Sequence, residues 1–149
     1  MIIGIDPDLR KSGVALVESG EIKELRSLNA VDLVLYCREN FVKHNAVVTM
    51  EDPNYNKPVF KRAGVSALAM LKIAQNVGQV KAAATLLAEF IMSYGVPVEM
   101  VPPLMGYPKA AKDNAELFKQ MTHWNGSSNQ DQRDAALIAL YGGRYGARR

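Results

Sequence analysis

Cysteine is almost absent: Cys37 stands alone among the 149 residues. One thiol cannot close an internal disulfide, and without a cysteine cluster a thiolate metal site is disfavoured. Cys37 falls in an apolar helical pattern and is expected in the core. Histidine is sparse too, with only His44 and His123. No basic-then-apolar signal pattern opens the chain. Long hydrophobic runs are missing as well. Residues 82–93 (AAATLLAEFIMS) come nearest, but the run is too short for a bilayer and Glu89 interrupts it. A cytoplasmic protein with no membrane association is expected. No internal repeat or low-complexity tract is present.

What remains is the composition of an ordinary soluble domain, 48% hydrophobic and 22% charged. The length suits one domain with a real core. Eighteen basic residues against fifteen acidic ones leave a formal net charge of +3, with a pI of about 9.0. That balance permits a polyanionic partner without requiring one.

The pattern predicts strands at 2–6, 13–18 and 21–28, joined by short turns as an antiparallel meander. Asn29 is positioned to cap a helix over 30–43, and His44 follows as a C-terminal residue. The run NAVVTME (45–51) reads as a fourth strand, parallel to the first through a right-handed crossover. Residues 52–64 (DPNYNKPVFKRAG) form a long loop, a length that often marks function. Ser66 is expected to cap a helix over 67–93. A fifth strand spans 96–101 and stops at Pro102-Pro103. Residues 103–111 read as irregular, followed by helices at 112–121 and 131–141. The expectation is an α/β fold, a five-stranded mixed sheet flanked by helices, as a single domain over 1–143 with a basic tail at 144–149.

Two strands end on acids, Asp6 and Glu51. If they are parallel neighbours, both carboxylates meet at the carboxyl edge, where open α/β sheets bind ligands. Carboxylates that close repel unless a proton or cation lies between them. The last helix adds Asp131 and Asp134, three apart and so on one face. Four acids with no matching His or Cys set suit a hard cation, Mg²⁺ or Mn²⁺. A pair of such ions can activate water and stabilise the leaving oxygen of a phosphodiester. Each acid also has a plainer role open to it. Asp6 can cap a turn through Pro7, and Glu51 can be a solvated edge residue. Ser128-x-x-Asp131 fits a capping box in which Asp131 complements the helix dipole. Asp134 heads the stripe Asp134, Leu137, Ile138, Tyr141, so it is expected on the buried face.

The ordered motifs resemble those of RuvC-type Holliday-junction resolvases, in the RNase H-like (retroviral-integrase-like) nuclease superfamily. GIDPDLRKSG resembles that family's G-I-D-P-G-x-R-x-T-G opening. Glu51 falls at its strand-4 acid. Asn76-Val77-Gly78-Gln79 resembles the Gly-Gln step of its long helix, and DQRDAALIAL its D-x-x-D-A-x-A-I-A-L ending. The resemblance implies an RNase H-like fold in which Asp6, Glu51, Asp131 and Asp134 are catalytic and hold two Mg²⁺ ions, with Mn²⁺ as a substitute. It further implies a homodimer that nicks opposed strands of a four-way DNA junction, with no small-molecule cofactor. Asp8 departs from the pattern, standing where the family has Gly. An Asp can take positive φ there at some cost, and its charge lies near the acid edge.

Lys57, Lys61 and Arg62 lie in the loop after Glu51, and Lys109 and Lys112 follow strand 5. All are candidates for phosphate contact; the family places a functional lysine in the segment that holds the latter two. Tyr55 and Phe60 are alternative candidates for an aromatic that stacks on exposed bases, or either can tuck under the loop. Arg144, Arg148 and Arg149 add basic charge to the tail. Trp124 reads as core or a loop anchor. Ala74, Gly78 and Ala82 make a small-residue ridge for packing on the sheet or on a twin helix, while Met70, Leu71, Leu86, Leu87, Phe90 and Ile91 fill core or interface. Two other functions compete with a nuclease: a junction-binding protein with a silent site, and an actin-like ATPase, which needs a second domain.

Overall fold

The computed structural model describes residues 1–55 and 63–143. Lys57, Phe60, Lys61, Arg62 and the tail arginines lie outside the described residues. Three strands open the chain, β1 (Ile2–Asp6), β2 (Ser12–Glu18) and β3 (Glu21–Leu28). Helix α1 (Ala30–His44), strand β4 (Val47–Glu51), helix α2 (Ala67–Ser93) and strand β5 (Val98–Val101) follow. Helices α3 (Gly106–Asp113), α4 (Ala115–Thr122) and α5 (Gln130–Leu137) complete the order, and α5 runs on into a π-helical turn, Ile138–Gly142. The sheet order is β3-β2-β1-β4-β5. β1, β2 and β3 pair antiparallel, while β1–β4 and β4–β5 pair parallel. Among the described residues, no helix is long and apolar enough to cross a membrane.

Side chains alternate across a strand, and here the alternation separates two cores. Ile3, Ile5, Val48 and Met50 point to one face and pack with Leu33 and Cys37 of α1 and Leu87, Ala88 and Ile91 of α2. Ala15 and Val17 point to the other face and pack with Ala111, Phe118, Ala135, Ala136 and Leu137. Gly4 is in step with Asp6 on β1 and lies on this second face. A Cβ on Gly4 would collide with the Ala135 carbonyl, and one on Gly13 with the Asp131 carbonyl. Bare backbone at these two positions lets α5 lie directly on the sheet.

Expected caps form: Asn29 Oδ1 accepts from the Asp32 N–H at 3.0 Å, and Ser66 Oγ from the Ala69 N–H at 3.2 Å. Cys37 is buried in the core. Elsewhere the structure corrects the pattern. The capping box of α5 uses Asn129 and Gln132, one residue beyond the Ser128–Asp131 pair. The stretch expected to be irregular holds α3, because Pro108 sits in its first turn, where the missing N–H has no helical partner to lose. The helix expected at 112–121 is two helices, broken at Asn114, whose extended backbone (φ −120, ψ 102) ends α3 and caps α4. β5 starts at Val98, after Pro97, which has no N–H for the ladder. Asp8 needs no left-handed backbone, since the only non-glycine residues with positive φ among those described are Ser19, Asn45 and His123. Its carboxylate instead accepts from the Arg10 N–H at 2.9 Å, closing the β1–β2 turn.

Helix α2 is only partly packed. Its buried residues, Ala84, Leu87, Ala88 and Ile91, belong to its C-terminal half. Toward the N-terminus Leu68 is 80% and Leu71 66% exposed. The ridge of Ala74, Gly78 and Ala82 is also exposed, so it does not pack on the sheet. Leu86 and Phe90 join Leu71 at the surface rather than in the core.

Candidate active site

The register brings the strand-end acids together. Ile5 pairs with Met50 in the parallel β1–β4 ladder, so Asp6 and Glu51 end adjacent strands. Both have the parity of the face covered by α5. Asp134 projects from α5 and is 4% exposed, as its place at the head of an apolar stripe predicted. Asp131, one turn earlier, is exposed, but its charge still acts on Asp6. All four acids thus lie toward the carboxyl edge, with Glu51, Asp131 and Asp134 within electrostatic reach of Asp6.

Lys112 lies among them. It occupies the last turn of α3, and its ammonium hydrogen-bonds Asp134 Oδ2 and lies 3.6 Å from Asp6 Oδ2. The end of α3 is held in place independently: Arg133 Nε donates to the Lys112 carbonyl at 2.7 Å and its guanidinium to the Ser128 carbonyl at 3.0 Å. Ala111 beside it is fully buried. The sequence placed Lys112 with Lys109 as a contact for DNA phosphate. The structure gives Lys112 partners within the protein, Asp134 and Asp6. The sequence signalled this only through the resemblance, which places a functional lysine in the segment of Lys109 and Lys112 without choosing between them.

The electrostatics follow from burial with too few counter-charges. Burial raises the Asp6 carboxyl to about 7, Lys112 opposes the rise, and the charges of Asp134, Glu51 and Asp131 add to it. Glu51 is also raised, first by burial and then by Asp134, against the pull of Lys112 and Lys109. Burial pulls the Lys112 ammonium down, but its bond to Asp134 and the charges of Asp6, Asp134 and Glu51 prevail and raise it. Among the described residues, Lys112 acts on Asp6, Asp134 and Glu51, and Lys109 on Glu51, yet Asp6 and Glu51 stay raised, so the site attracts further cations.

The donor chemistry matches a hard cation, since every ligand offered is a carboxylate oxygen. The geometry does not yet match: among the described residues, no group of three or more His, Cys, Asp or Glu side chains is gathered to hold a metal ion. Beside the acids, a cleft of about 540 Å³ is lined by Tyr55, Pro103, Met105, Lys109 and Tyr141, among others. Tyr55 is 63% exposed. Trp124 anchors a loop, its indole N–H reaching the Ser127 carbonyl at 3.3 Å. A second cleft at the β2–β3 hairpin, next to Trp124 and His123, lies at the opposite end of the sheet from the acids.

No family model and no curated protein matches the chain. Among solved structures it is similar to T. thermophilus RuvC in complex with Holliday junction substrate, with a TM-score of 0.53 and 18% identity over 93% of this chain and 89% of that one. At that identity the likeness establishes a shared fold. The five-stranded mixed sheet with flanking helices is the RNase H-like fold.

Proposed function

We propose that this protein is a divalent-metal-dependent endonuclease that resolves four-way or other branched DNA junctions. The observation that carries the reading is the convergence of Asp6, Glu51, Asp131 and Asp134 at the carboxyl edge of an RNase H-like sheet. In this reading the four acids hold two Mg²⁺ ions, or Mn²⁺ in their place. Bound there, the ions supply an activated water and charge stabilisation for phosphodiester hydrolysis. The chain's own part is to fix the carboxylates: β1 and β4 by their ladder, Asp134 by burial, Asp131 by the capped start of α5.

DNA approaches across the same edge. Lys109 and Tyr55 border the cleft beside the acids, where an ammonium contacts phosphate and a phenol ring stacks on an unpaired base. In this reading Lys57, Lys61 and Arg62 remain candidates for phosphate contact and Phe60 for base stacking; they follow Tyr55 in the sequence and lie outside the described residues. The protein acts as a homodimer, a reading supported by an exposed apolar face: Val31 and Leu35 on α1, Leu86 and Phe90 on α2, and Tyr94.

The test is cleavage of labelled four-way junction, flap, single strand and linear duplex in Mg²⁺, Mn²⁺ and EDTA. Paired nicks in the junction, absent in EDTA and in Asp6→Asn, are expected. Cutting of flaps or single strands alone would remove the junction specialisation. Tight junction binding without cutting in either metal would leave a binding protein with a silent site.

A further inference from the structure

The acid cluster already contains a cation, and it is part of the chain. We propose that Lys112 is a displaceable internal counter-ion, its ammonium standing between Asp6 and Asp134 where a divalent ion is to bind, so that metal loading must expel it. This inference rests on the metal-dependent reading above and specifies how that site is guarded.

Three observations support it. The ammonium bonds Asp134 and approaches Asp6 to 3.6 Å, so it bridges an acid from the sheet and an acid from the helix. With it in place, no three carboxylates among the described residues are gathered as a ligand set. Its backbone is tethered: Arg133 holds the Lys112 carbonyl, and Ala111 beside it is buried. The side chain itself has an exit, being 27% exposed. Lysine suits the task because its ammonium is a compact point charge on a flexible stem, readily hydrated on leaving. An arginine would hold a carboxylate through a rigid two-pronged contact and resist displacement.

The arrangement has two consequences. Without metal, Lys112 relieves the repulsion among the acids and keeps the site assembled. With metal, the ammonium is released at the site entrance, where an anionic oxygen of the substrate becomes its next partner. Lys109, one turn earlier on α3, is exposed and serves as the internal comparison.

Calorimetric titration of Mg²⁺ and Mn²⁺ into the DNA-free protein tests the displacement. Lys112→Met is expected to bind the ions at least about tenfold more tightly than wild type, because a like charge has left the site. Lys109→Met should change affinity much less. Equal or weaker metal binding by Lys112→Met overturns the proposal. A second measurement needs no variant: acetylation of each lysine, read by peptide mass spectrometry on the wild-type protein. Mg²⁺ should speed labelling of Lys112 several-fold relative to Lys109. Unchanged or slower labelling at a metal concentration that saturates the site overturns it even if Lys112→Met does not fold. Wild type that neither binds the ions nor cuts DNA would remove the nuclease reading and this inference together. Metal-dependent cutting with unchanged affinity in Lys112→Met would remove only the displacement.

Discussion

Helices α5 and α2 lie on opposite faces of one sheet and are treated very differently by it. α5 touches backbone at Gly4 and Gly13, and all of its residues from Asp134 onward are buried. α2 is a 27-residue helix that buries only Ala84, Leu87, Ala88 and Ile91. The contrast teaches where this molecule needs geometry and where it leaves surface. In the nuclease reading, carboxylates acting together must be held to a fraction of an ångström, and the helix that carries two of them is pressed onto the strand that carries a third. The far helix has no such duty and presents apolar side chains outward.

The contrast breaks most sharply at the acids. Asp6→Asn is close to isosteric and removes only charge. It is expected to cut junction cleavage by at least about a thousandfold while leaving fold and junction binding largely intact. Cleavage retained by the purified variant would end the role assigned to Asp6.

The next largest effect separates the two helices by their glycines. Gly4→Ala drives a methyl into the Ala135 carbonyl and should lower stability by about 3 kcal/mol in urea denaturation. Gly78→Ala on α2 meets no atom within 4 Å. It should be neutral or raise stability by up to about 1 kcal/mol, since alanine favours a helix interior. Similar losses at both positions would mean that α2 is as tightly packed as α5.

A smaller effect is expected with pH. The Asp6 carboxyl rises from an ordinary value of 3.8 to about 7 in the folded chain, chiefly through burial. Between those values the folded state keeps a proton that the unfolded state has released. Stability of the metal-free protein therefore falls as pH rises through that window. Asp6→Asn removes this loss, so it should be more stable than wild type at pH 8 by about 1–2 kcal/mol, an advantage that shrinks toward pH 4. A constant difference across that range would refute the shift.

The smallest effect belongs to α2. Leu71→Gln should change stability by less than about 0.5 kcal/mol, because the residue is already in water. If the apolar face of Val31, Leu35, Leu86, Phe90 and Tyr94 joins two copies, Leu86→Gln weakens the dimer in sedimentation while Leu71→Gln does not. A large loss of stability at a concentration where the protein is monomeric would place Leu71 in a core.

Most of the frame was legible along the chain. Three short runs joined by tight turns marked the meander, Asn29 and Ser66 announced their helices, and the acids at strand ends pointed to a shared edge once those strands were parallel neighbours. Asp134 was readable because an acid at the head of Leu137, Ile138 and Tyr141 has no solvated face. Other features were less legible. α3 was hidden by Gly106 and Pro108, since a proline that breaks a helix interior is harmless in a first turn. Leu71, Leu86 and Phe90 fit a core helix by spacing alone, and spacing does not say whether anything lies opposite. Lys112 looked like its neighbour Lys109, because two lysines three apart read alike until one of them is given a partner.

By itself, the sequence determined the strand order in the chain, the acids Asp6 and Glu51 at two strand ends, and the helix that carries Asp131 and Asp134. These are matters of local period and capping, which act over a few residues. The tertiary structure alone decided that Lys112 enters the acid cluster and that the first half of α2 stands clear of the sheet. Both depend on which surfaces meet across distant parts of the chain. A lysine 22 residues from Asp134 becomes its counter-ion only when packing, and the cost of burying unpaired charge, draw α3 against α5.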